Sequence, residues 1–156
     1  MTIRRAIEKD MDRILALLTQ VLEIHADARP DIFIHGTTKY TREELRQVLQ
    51  DDSTPVYVAV DEADTVMGYV FCVFKEQPLS SNMVPFSSVY IDDLCVDEHF
   101  RGQQIAAQLF AYVKELARSR GCYEVTLNVW RGNDGARSFY EKMGVQEMKT
   151  MMEYIL

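Results

Sequence analysis

The spacing of apolar positions changes along the chain, and each change marks an element. Thr2–Ile7 reads as a short strand. Met11, Ile14, Leu15, Leu18, Val21 and Leu22 then recur at helical spacing, with Asp10 or Asp12 near the start, until the pattern fades by Ala28 and Pro30 prevents continuation. Thr41 and Glu44 form a capping box ahead of Leu45, Val48 and Leu49, which predicts a second, short helix. β-Branched and aromatic residues follow: Val56–Val60, a polar turn over Asp61–Thr65, and Val66–Phe74 predict a hairpin. Residues 75–88, with Pro78, Pro85 and several serines, read as a loop, and Ser88–Val96 as a strand. Ile105, Ala106, Leu109, Phe110, Val113, Leu116 and Ala117 share one helical face, with Arg118 and Arg120 at its negative end and Gly121 as the stop. Tyr123–Val129 reads as a strand, Asn133 as the cap of a short helix ending at Gly144, and Val145–Leu156 as strand again. The expected architecture is an α/β domain on one mixed sheet, in the order β-α-α-β-β-β-α-β-α-β with room for one more strand.

Length and composition narrow the function classes. The 156 residues suit a single domain over residues 1–156, with 47% hydrophobic and 26% charged residues. The net charge of −7 argues against non-specific binding to nucleic acid or acidic membranes. That charge is unevenly placed: residues 99–142 hold seven basic and four acidic side chains, and the rest of the chain holds ten basic and twenty acidic. Such a polarised molecule can take an anionic ligand at one end and a cationic one at the other. No apolar run reaches the about 18 residues that a membrane helix needs, and Met1–Asp10 carries charges where a leader has an apolar core. Cys72, Cys95 and Cys122 make an odd set without metal spacing, so a cytoplasmic location is expected. His25, His35 and His99 lack ligand spacing, so no metal is expected.

Two stretches carry candidate chemistry. The strand ending Asp92-Asp93-Leu94-Cys95-Val96 runs through a short turn into Arg101-Gly102-Gln103-Gln104-Ile105-Ala106, which opens the long helix. A strand feeding a glycine-containing turn into a helix start gathers free N–H groups and the positive end of the dipole, which suits a phosphate. Downstream lies Asn133-x-x-Ala136-x-x-Phe139-Tyr140-x-x-x-Gly144.

Together these resemble the GNAT superfamily of N-acetyltransferases, which use acetyl-coenzyme A. Arg101 and Ala106 match the family's first motif, Arg/Gln-x-x-Gly-x-Gly/Ala, with Gln104 where the family has glycine. Asn133, Ala136, Phe139, Tyr140 and Gly144 match the second. The resemblance implies that the diphosphate sits on backbone N–H groups of Arg101–Ala106, that the pantetheine arm pairs with Leu94–Val96 where neighbouring strands splay, and that an N–H near Cys95 polarises the thioester. It implies that Asn133 binds the cofactor, with Ala136 beside it in the motif, and that Tyr140 stands by the sulfur as general acid.

The strand around Tyr90–Val96 is similar to that of polyamine acetyltransferases, which carry an acidic pair there. With regular alternation, Tyr90, Asp92 and Leu94 share one face and Asp93 the other; Asp92 is then the base that takes the amine proton, with Asp93 orienting it or holding a second cation. A bulge would exchange the two. The expected acceptor is a primary amine of a small cationic molecule, in a pocket walled by residues 25–40 and 75–88. Acetylation of a protein N-terminus or lysine, and a coenzyme A-binding module without catalysis, are the alternatives. A buried Cys95 is expected to be inert. The tail Met151–Leu156, apolar on both alternating faces, points to a homodimer.

Overall fold

In the computed structural model, every residue except Pro78 and Leu79 is described. Five strands, β1 (Thr2–Arg5), β2 (Val56–Val60), β3 (Val66–Glu76), β4 (Ser87–Val96) and β5 (Glu124–Leu127), form one sheet in chain order. The first four are antiparallel neighbours, and β5 runs parallel to β4. That last pairing needs a crossover, which α3 (Ile105–Ser119) supplies. Helices α1 (Met11–Ala28) and α2 (Arg42–Gln50) cover one face, and α3 with α4 (Asp134–Lys142) the other.

Strand alternation divides the core between those faces. Met11, Ile14, Leu17 and Leu18 of α1 pack on Val56, Val58, Tyr69 and Phe71. Leu109, Phe110 and Val113 of α3 pack on Ala59, Val70, Cys72, Val89 and Ile91. Each fully buried leucine contributes about 1.5–3 kcal/mol. Gly68 is required where β3 meets β4, because a Cβ there would lie 2.7 Å from the Cys95 carbonyl oxygen.

The local signals are realised. The Thr41 hydroxyl accepts from the Glu44 N–H at 3.2 Å, and the Glu44 carboxylate accepts from the Thr41 N–H at 2.7 Å. Asn133 caps α4 by accepting from the Ala136 N–H at 3.2 Å. Asp10 precedes α1 but does not cap it; its carboxylate instead accepts from the Ile7 N–H and from Arg4. β3 runs two residues further than Phe74, and the expected loop narrows to the stretch between Glu76 and Ser87, with Pro78 and Leu79 outside the described residues.

Two expectations fail. Residues 145–156 join no ladder among the described residues. Apolar on both alternating faces, they need an edge to pair with and cover on both sides to form a strand; beyond the Val145 N–H bond to the Tyr140 carbonyl, side chains hold the segment. Arg137 binds Glu147 at 3.0 Å and Arg29 binds Glu153 at 2.7 Å. The second failure is the regular alternation from Tyr90 to Leu94. Phe71 pairs with Asp93 and Cys72 with Ile91, so Asp92 is an extra, bulged residue.

Candidate active site

The bulge at Asp92 reorganises β4 in two ways. It exchanges faces: Asp93 and Cys95 turn to the α1 side, where their register partners Phe71 and Tyr69 lie, while Leu94 and Val96 pack with the α3 side. It also turns the backbone. The Asp97 N–H donates to the Met67 carbonyl at 2.9 Å, so alternation aims the Cys95 N–H at β3 and those of Leu94 and Val96 away from it. On that side β5 has already ended, since its last pair is Ile91 with Leu127. Asp92–Val96 thus presents an open strand edge, the splay that the resemblance implies. The donors on it belong to Leu94 and Val96 and not to Cys95, because of the inserted residue.

The two aspartates meet different surroundings. Asp93 Oδ2 accepts from the Tyr69 hydroxyl at 2.8 Å. Burial pushes the Asp93 carboxyl above its ordinary range, against the opposing pull of Tyr69, Lys39 and His25. Asp92 instead pairs with Lys39, which reaches over from the segment between α1 and α2. Next to Lys39, Tyr40 stacks on Phe71 with ring centroids 5.9 Å apart. From the same segment Phe33 meets His25 at 5.2 Å and Trp130, just past β5, at 5.4 Å. Residues 25–40 therefore pack along this side, against β3, β4 and Trp130.

The turn into α3 is anchored from below. Asp97, fully buried, accepts from the His99 N–H and ring nitrogen at 2.8 Å and from Arg13. Burial opposes its charge, but the His99 and Arg13 bonds prevail and hold the carboxyl below its usual range. Gly102 has φ +80. Gln104 also adopts the left-handed conformation, at φ 60 and ψ 16, which glycine takes without penalty. The Gln108 N–H is the first to close on the helix, reaching the Gln104 carbonyl at 3.0 Å, so the N–H groups of Ile105, Ala106 and Ala107 remain for a ligand. Arg101 is exposed beside them. Gly102 and Gln103 complete an exposed turn that a diphosphate fits.

Tyr140 packs edge-on against Phe110 and Phe139, at 5.7 and 5.0 Å between centroids. Burial, with the nearby Asp93 charge, raises its phenol above the ordinary range. Tyr140 belongs to the same apolar cluster as Leu94 and Val96, on the α3 side of the β4 edge, while Asp93 faces the α1 side. Ala136 and Asn133 start the same helix, with the Asn133 side-chain oxygen Oδ1 already engaged as the cap. Burial pushes the Cys95 thiol up to about 12, which leaves it un-ionised.

These features, an anion-binding turn, an open strand edge and a tyrosine in the same apolar cluster as Leu94 and Val96, accompany a family match: residues 18–145 match the Acetyltransferase (GNAT) family. The chain belongs to the GNAT family. It is an N-acetyltransferase, and this family takes the acetyl group from acetyl-coenzyme A. The Bos taurus thialysine N-epsilon-acetyltransferase is 26% identical over 94% of this chain and 84% of its own length. The solved BH1408 protein of Bacillus halodurans is 32% identical, covers 100% of this chain and 99% of its own, and superposes with a TM-score of 0.95. An aminoglycoside acetyltransferase from an uncultured soil metagenomic sample, solved with sisomicin, shares the fold at 22% identity and TM-score 0.73, over 99% of this chain and 95% of its own.

Tyr69, Lys39 and Tyr40 are the site residues that sequence reasoning missed. Tyr69 sits in an apolar strand and reads as core. Lys39 and Tyr40 fall in the segment named as a wall, without a pattern to single them out.

Proposed function

We propose that this GNAT enzyme acetylates a primary amine of a small, positively charged molecule by direct attack in a ternary complex. The observation that carries the reading is the bulge, which sets Asp93, half-buried and bonded to Tyr69, on the strand segment with the open edge of β4. Bound acetyl-coenzyme A supplies the acetyl thioester. The free N–H groups at the start of α3, with Arg101, hold its diphosphate. The N–H groups of Leu94 and Val96 take the pantetheine amides and polarise the thioester carbonyl. Asp93, directly or through a water, takes the proton of the acceptor ammonium, and its raised pKa makes it a stronger base than an ordinary carboxylate. As the amide C–N bond forms and the C–S bond breaks, the Tyr140 hydroxyl gives its proton to the departing thiolate, and the second proton, shed by the new amide nitrogen, restores the phenol through water.

Asp93 thus takes the role that regular alternation would assign to Asp92. The acidic surplus outside residues 99–142 favours a cationic acceptor. The relative named for thialysine and the structure holding sisomicin are consistent with small amine acceptors. A panel of polyamines, aminoglycosides, amino acids and peptides, read by release of coenzyme A, tests the reading. Release with small cationic amines is expected; release with peptides alone would transfer the assignment to protein acetylation.

A homodimer fits the tail. Met151, Met152, Tyr154 and Ile155 are 74–94% exposed, more contiguous apolar surface than an unpaired segment normally keeps. The outer edge of β5 has no partner among the described residues, so a strand-patterned tail from a second copy can add to it. Light scattering at tens of micromolar should give twice the chain mass, and a monomer mass would reject the dimer. The three free cysteines fit a cytoplasmic location.

A further inference from the structure

Lys39 is a component of the acceptor site that neither motif accounts for. Its ammonium pairs with Asp92 at 2.5 Å and lies 5.5 Å from the centre of the Tyr40 ring. A carboxylate and an aromatic face are what a substrate ammonium would seek, and here a side chain of the protein occupies them. The neighbouring carboxylate, Asp93, faces Tyr69 and has no such partner. Asp92, Asp93 and Lys39 together carry one net negative charge when both carboxyls are ionised, and Lys39 offsets the one on Asp92.

We infer that Lys39 sets the charge of the acceptor: by cancelling Asp92 it leaves room for one ammonium, the reacting one, and disfavours an acceptor with a second cation in reach of Asp92. The inference rests on the amine acetylation proposed above. Lys39 keeps its proton because its pairing with Asp92 outweighs burial, so it acts as a charge and not as a nucleophile. The lysine is tethered, so a free diamine must displace a partner held at high effective concentration. The side chains are 39% and 27% exposed, so the hold is modest and a competing ammonium registers it as a selectivity and not as a block.

The test compares kcat/KM for diaminobutane and butylamine, equal in chain length, in the wild type and in Lys39→Met, Lys39→Gln and Lys39→Arg. The ratio of diamine to monoamine should rise about fivefold in the Met and Gln variants, stay at the wild-type value in Lys39→Arg, and lose most of its rise at about 0.5 M salt. If Lys39 only holds its loop in place, both amines lose equally and the ratio does not change, which overturns the inference. Should no amine release coenzyme A from the wild type, the amine reading fails on its own. Calorimetric affinities of the two amines for the coenzyme A-loaded proteins then decide the Lys39 question by the same ratio.

Discussion

The Tyr69 hydroxyl donates to Asp93 Oδ2 at 2.8 Å across a strand pair whose register slips at the residue just before. Without the slip, Asp93 would face α3 and Tyr69 would lack its acceptor. The hydrogen bond favours the charged carboxylate and so moderates the upward push of burial. Tyr69→Phe removes that moderation. The acidic limb of the kcat/KM profile should move to higher pH, because Asp93 then holds its proton longer; an unmoved limb would remove Asp93 as the base.

Asp93 also carries a stability cost tied to its function. Its folded pKa is raised above the unfolded value, so its favourable contribution is fully present below the unfolded pKa and is lost as pH rises through the folded one. At neutral pH the ionised form is therefore less well accommodated in the fold than in the unfolded chain. Asp93→Asn keeps an acceptor for Tyr69 and removes the charge. It should lower turnover by about 10²- to 10⁴-fold while raising the unfolding temperature at pH 7 more than at pH 4. Thermal unfolding at the two pH values checks the sign.

What could be read from the sequence follows the range of the forces involved. The α1 stripe, the Thr41–Glu44 box and the Asn133 cap are decided within a few residues, and each appears where its pattern predicts. The turn from Arg101 to Ala106 was equally legible, because strand, turn and helix are contiguous. The Asp92 bulge was not, because it depends on how Phe71 and Cys72 meet residues some twenty positions away. Separation in the chain likewise hid Tyr69, 24 positions from Asp93, and the Lys39–Asp92 pair, 53 positions apart. The tail reads as strand by composition, yet a strand exists only where an edge accepts it.

Gln104 stands in a left-handed conformation at the entry to α3, where a side chain costs about 1–2 kcal/mol. Gln104→Gly should stabilise the fold by about 1 kcal/mol and leave coenzyme A affinity equal or tighter. Calorimetry and chemical unfolding measure the two effects. A large loss of affinity would show that the Gln104 side chain itself touches the ligand. A bulky or acidic change at Ala106 should weaken binding more than the same change at Gln103, since the Ala106 N–H lies within the first helical turn.

Asp97 holds the base of that turn through His99 and Arg13. Its folded pKa is lowered, so its contribution is present above the unfolded pKa and is lost as pH falls through the folded value. Asp97→Ala leaves the His99 N–H without its acceptor and should cost about 1–3 kcal/mol at neutral pH. The loss should shrink on acidification below the carboxylate range. Coenzyme A affinity should fall with it, because the turn loses its anchor; unfolding curves across pH, with binding measured in parallel, check both.

Tyr140 is placed to hold a proton until the thiolate needs it. Burial and the Asp93 charge keep its phenol protonated well above neutral pH, so the acid is present throughout the working range. Tyr140→Phe removes one oxygen and keeps the ring against Phe110 and Phe139, so coenzyme A should still bind. Turnover should fall by about 10²- to 10⁴-fold if proton donation limits thiolate departure. Raising the pH supplies more neutral amine and should partly restore an Asp93→Asn enzyme, whose defect lies in removing that proton. It should not restore Tyr140→Phe, whose defect lies at the other end of the reaction. If Tyr140→Phe keeps full kcat across the pH range, the thiolate leaves without an acid and the assignment to Tyr140 is wrong.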